Sequence, residues 1–147
     1  VQPYLNRHEH AEARQCIRNL SGIGTGTVIY AKEHGGKLPL GIADLVGDSF
    51  NELPVCPRAK RLGLTPQGGG APGSFVYLRP ADTFGAIPDP ARTVMAYEPP
   101  AYHGNEGMKV LFCDGSTVWL DSAQAKYLLD ELAAGYNPPR ADPLDKR

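Results

Sequence analysis

Glu98, His103 and Asp114 are residues whose types could supply a small cation site. Two carboxylates and an imidazole from one stretch of chain could close on an ion, or form a hydrogen-bonded clamp. The plainer reading has His103 donating to a backbone carbonyl and pinning the loop before a strand, because the spacing matches no metal motif. Asp114-Gly115 offers a carboxylate that calcium could use. A type I′ turn, with both residues at positive φ, explains the pair without an ion. Glu106 and Asp121 are further oxygen donors, still short of the six or more that a hard cation takes.

The cysteines pose a second question. Cys16, Cys56 and Cys113 are an odd set, and no Cys-x-x-Cys occurs, so a zinc ribbon or c-type haem is not indicated. A Cys16–Cys56 bridge would tie a loop to a helix, as suits an exported domain. Three free or buried thiols are the equal alternative. His8 and Glu12 share a helix face but His10 points away, which describes a solvated surface. Gly22-Ile23-Gly24-Thr25-Gly26 is no nucleotide loop: no strand precedes it and the spacing is not GxGxxG. Close packing of a helix against a sheet accounts for it. Asn19-Leu20-Ser21 is a glycosylation sequon in form, lying by chance within a helix. No serine sits in a GxSxG elbow.

These residues must be positioned by few elements. Gly 17 and Pro 14 make up about a fifth of 147 residues, too many breakers for a helical bundle. Residues 8–34 read as the one long helix, with an apolar stripe from Cys16, Ile17, Leu20, Ile23, Gly24, Thr27, Val28, Tyr30 and Ala31. Gly35, Gly36 and Pro39 stop it. Residues 37–74 read as irregular, with one short helix at Ile42–Val46 and a loop at Gly68–Gly73. Strands are expected at 75–78, 93–97, 109–113 and 117–120, the last two joined by Asp114-Gly115. A second helix over 122–134 is capped by Asp121 or Ser122 and ended by Gly135. The sum is an α+β fold with an antiparallel sheet. One domain over 1–137 precedes an extended, Pro-rich tail at 138–147. The net charge of −1 gives no basic stripe for nucleic acid. No apolar run reaches the ~20 residues of a membrane helix.

Several of these stretches occur together in one known family. Gln15-Cys16-Ile17-Arg18-Asn19-Leu20 opens a helix that ends in Tyr30-Ala31-Lys32-Glu33-His34-Gly35. Val55-Cys56-Pro57 and Ser74-Phe75-Val76-Tyr77-Leu78 follow, then Ala96-Tyr97-Glu98-Pro99-Pro100-Ala101-Tyr102-His103-Gly104 and Val110-Leu111-Phe112-Cys113-Asp114-Gly115. From about Ala13 to Leu120 the chain resembles type IV pilin-like proteins, closest to the pseudopilin-like, planctomycete-type group with a His-x9-Asp-Gly motif. His103, Asp114 and Gly115 match that motif with one extra residue between them, placed in the Gly104–Gly107 loop. The resemblance implies a long N-terminal helix packed on a small antiparallel sheet, with a short C-terminal helix. It implies a non-catalytic filament subunit of a type IV pilus or type II secretion-like system. Its partners would be other pilin-like subunits and the secretion or pilus machinery, with no cofactor beyond the calcium that related major pseudopilins bind. The location would be the periplasmic or extracellular side of the cell envelope. The chain starts at Val1 without the family's cleavage site and apolar helix half, as a trimmed or processed product would; only that half would contact the membrane. The alternative is a secreted cation- or ligand-binding module using Glu98, His103 and Asp114.

Overall fold

The computed structural model describes residues 7–47, 49–66 and 70–143, with side chains from Gln15 onward apart from that of Ile17. Helix α1 (Arg7–Glu33) comes first. A 3₁₀ turn at Ile42–Leu45 and helix α2 (Pro57–Leu62) follow. Strands β1 (Val76–Tyr77), β2 (Val94–Tyr97), β3 (Gly107–Phe112) and β4 (Thr117–Asp121) form one sheet, and helix α3 (Ser122–Ala133) closes the order. The fold is α+β. The sheet is an antiparallel meander in the order β1-β2-β3-β4.

Side-chain alternation along β3 explains the layering. Leu111 faces one side and joins Cys16, Leu20, Ile23, Met95 and Tyr102 in a buried cluster. Met108, Val110 and Phe112 face the other and join Val94, Leu120, Ala125 and Leu128. Residues i and i+2 of a strand share a face, so the sheet divides two cores. Helix α1 covers one face and α3 the other. A sheet covered on both sides buries nearly every residue of its central strand, as β3 does.

Glycines permit the closest approaches. A Cβ on Gly24 would stand 3.2 Å from Leu111 Cδ1, so α1 lies against β3 at that point. Gly22 and Gly26 meet Phe50, Ser49 and Leu45 instead. The expectation that all three glycines serve helix-on-sheet packing therefore holds only for Gly24. The other two make room for Leu45, Ser49 and Phe50, and Val28, expected in the apolar stripe, is exposed instead.

Two local expectations are corrected. The stretch 37–74 is not irregular apart from one short helix, because α2 also lies within it. Its signal is Pro57 at the first helical position and Gly63 beyond the last, at φ 71°, the usual placement of these two breakers. The Asp114-Gly115 turn is not type I′. Gly115 is left-handed at φ 92°, but Asp114 is not among the positive-φ residues. The Gly115 amide donates to the Phe112 carbonyl and the Phe112 amide to the Ser116 carbonyl. That is a three-residue hairpin loop with glycine at its left-handed position. The Asp114 carboxylate accepts from the Ser116 amide and hydroxyl at 2.9 and 2.6 Å, a local turn bond that aspartate makes readily. Of the two proposed caps for α3, Asp121 is the one used: it accepts from the Gln124 amide, and the Gln124 side chain accepts from the Asp121 amide.

Residues after α3 are tied back to the body. The Asn137 side chain bonds both the amide and the carbonyl of Val94, at 2.8 and 2.9 Å. Arg140 clamps the buried carboxylate of Glu131 at 2.7 Å. These hydrogen bonds from Arg140 hold the Glu131 carboxyl down at about 2. A carboxyl depressed in the folded state contributes stability above the ordinary carboxylate range, and loses it as pH falls through the folded value. Thermal melts should therefore show the wild-type Tm exceeding that of Glu131→Gln at neutral pH. The gap should shrink between about pH 4.5 and pH 2. An equal gap at both ends would remove the ion pair from the stability of this fold.

Candidate functional site

Three stretches distant in sequence, around Cys16, Cys56 and Glu98–His103, converge at one place. Cys16 lies on α1, and its stripe neighbours Leu20 and Ile23 are fully buried. Cys56 sits immediately before α2, in an extended conformation. Its amide donates to the Gly73 carbonyl at 2.7 Å. Gly73 is left-handed at φ 81°, and a Cβ there would stand 2.7 Å from the Cys56 carbonyl oxygen, so only glycine allows this approach. Asn19 pins the same segment to the helix by donating to the Val55 carbonyl at 2.8 Å; its side chain is structural.

Glu98 follows β2 and continues the sheet pairing, its amide donating to the Lys109 carbonyl. The 3₁₀ turn Pro100–His103 then carries His103 back over it, and Gly104 ends the turn at φ 65°. Tyr102 anchors this turn from within the core. Its hydroxyl donates to the Ser74 carbonyl at 2.6 Å, and its own carbonyl accepts from Arg58 on α2.

The result is a tight cluster of Cys16, Cys56, Glu98 and His103, whose potential ligand atoms all lie within 4.8 Å of one another. The two sulfurs are 2.7 Å apart and both residues are thiols. His103 Nε2 lies 3.1 Å from Glu98 Oε2. Cys16, Cys56 and Glu98 are sealed from solvent, whereas His103 keeps 19% of its side chain exposed. The other carboxylate oxygen, Glu98 Oε1, is buried with no hydrogen-bond partner. A buried acceptor of this kind costs about 1–3 kcal/mol, and more when charged.

The titration properties follow from the packing. The Cys16 thiol is pushed far up, first by its hydrogen bond to Cys56, then by burial and the nearby Glu98. Cys56 is pulled down because it receives that bond, against the effect of burial. Burial opposes charge on His103, but the hydrogen bond and charge of Glu98 prevail and raise it. Burial also pushes the third thiol, Cys113, up to about 12, with Asp114 adding to it.

The proposed trio of Glu98, His103 and Asp114 is only partly assembled. Glu98 and His103 meet, but Asp114 sits at the exposed tip of the β3–β4 hairpin, bonded within its own turn. Cys16 and Cys56 come together without a disulfide between them, and here they join the other pair. In the sequence nothing links these two pairs. The Cys56-Pro57 start of α2 was the available signal, since a helix there fixes which way Cys56 faces. The donor set is soft, with two sulfurs and one imidazole, and does not suit calcium, which takes six to eight oxygens. The face proposed for His8, Glu9, His10 and Glu12 lies outside the described side chains. An open groove of about 690 Å³ runs along α1 past Gly22, Gly26 and Ile29; it shares no residue with the cluster.

No family model, no curated protein and no solved structure matches this chain.

Proposed function

We propose that this chain is the globular head of a pilin-like subunit, of the pseudopilin-like kind, in a type IV pilus or type II secretion-like filament. The supporting observation is that Cys16, Leu20 and Ile23 of α1 are buried in one cluster with Met95, Ala96 and Leu111 of the antiparallel meander. A detached helix or a parallel sheet would have opposed it. In this proposal α1 is the C-terminal part of a longer N-terminal helix, whose upstream apolar half packs in the filament core and anchors the precursor in the membrane. Among the described residues, no helix is long and apolar enough to cross a membrane. Its partners are then other pilin-like subunits and their assembly machinery, on the periplasmic or outer side of the envelope. The role is that of a building block rather than a catalyst, in keeping with sulfurs that are sealed from any substrate.

The test is expression of the gene from its own start codon in its native cells. A prepilin peptidase should shorten the product, which should then appear with sheared surface filaments or cross-link into ladders of copies. An uncleaved product recovered only as free monomer would overturn the proposal.

A further inference from the structure

We propose that Cys16, Cys56, Glu98 and His103 form a closed structural site for one zinc ion. The inference is independent of the filament role. All four side chains are zinc ligands by type, and four is the number that a closed tetrahedral site takes. Bond lengths of about 2.0–2.3 Å set ligand-to-ligand edges of roughly 3.3–3.8 Å in such a site. The four ligand atoms lie within 4.8 Å of one another, so small side-chain shifts bring them onto it. The sulfurs, at 2.7 Å, part by about 1 Å to reach their edge.

Glu98 Oε1 decides between an ion and a disulfide. A Cys16–Cys56 bridge would consume both sulfurs and leave this oxygen sealed without a partner. A metal ion satisfies it together with the sulfurs and His103 Nε2. Binding releases the two thiol protons to solvent and takes the imidazole neutral. No redox change occurs. Two thiolates, an imidazole and a carboxylate favour zinc over the oxygen-seeking calcium and magnesium. The ligands come from α1, the start of α2, the end of β2 and the following 3₁₀ turn. The ion would therefore staple α1 to the segments that flank the sheet. With three ligands buried there is no open position for substrate, so the role is structural.

Elemental analysis of the reduced full chain after zinc loading and desalting should find one zinc per chain. Cobalt substitution should give thiolate-to-metal charge-transfer absorption, and a strong chelator should lower the Tm. Cys56→Ser and His103→Ala should each weaken zinc binding at least about tenfold, while Cys113→Ser should leave one zinc per chain. X-ray absorption at the zinc edge of the wild-type protein needs no variant, and should show two sulfur and two nitrogen or oxygen neighbours. Failure of the reduced protein to retain zinc would overturn the proposal. So would a zinc shell without sulfur, or a Cys16–Cys56 disulfide in protein isolated from its native cells.

Discussion

Tyr102→Ala should destabilise the fold by about 3–5 kcal/mol, the range for removing a buried aromatic side chain. Tyr102 is completely buried, in the same cluster as Leu20, Ile23 and Leu111. Truncation would leave a cavity in that cluster. It would also strip the Ser74 carbonyl of the 2.6 Å bond from the Tyr102 hydroxyl. Burial holds that hydroxyl up at about 12, so it remains a donor at any physiological pH. Tyr102→Phe keeps the ring and loses only the donor, and should cost about 1–3 kcal/mol, the penalty for a buried acceptor left unpaired. Urea denaturation at a fixed metal content measures both, with the midpoint falling and the slope unchanged. If the alanine variant is no worse than the phenylalanine variant, Tyr102 is not the anchor of the turn that carries His103.

Leu111→Ala should cost about 2–5 kcal/mol, through the opposite wall of the same core. Leu111 is fully buried and is the β3 side chain pressed against α1 at Gly24. The pair permits a sharper test of helix-on-sheet packing. In the wild type, Gly24→Ala places a methyl 3.2 Å from Leu111 Cδ1, so crowding offsets the helix preference of about 1 kcal/mol for alanine over glycine. With Leu111 already truncated, the same methyl meets vacated space and regains that preference. The double-mutant cycle should then show a favourable coupling, within the 0.5–3 kcal/mol or so found for residues in contact. Strict additivity would mean that α1 does not bear on β3 at this point.

Much of the scaffold around these residues is legible in the chain. Asp121 or Ser122 announces the start of α3, and the structure uses Asp121, with Gln124 completing the capping box. Asp114-Gly115 marks the hairpin, because glycine alone accepts the left-handed position at little cost. The turn type escapes the sequence because the Asp114 carboxylate is free to choose between partners, and its bonds to Ser116 decide the matter. Helix α2 escapes because six residues are too few for periodicity to register. The candidate site is half legible. Glu98 and His103 are five positions apart and meet through one local turn. Cys16 and Cys56 are forty positions apart, and sequence offers a bridge or free thiols without preference.

Alone, then, the sequence determined the α+β class, the hairpin and caps, and the chemical types able to hold an ion, since each follows from backbone preference or side-chain chemistry within a few residues. Only the tertiary structure decided that α1 and α3 cover opposite faces of the sheet, that Asp114 stands apart, and that two thiols share a pocket with Glu98 and His103. Those outcomes depend on contacts across tens of residues. There burial, more than local preference, selects which side chains meet.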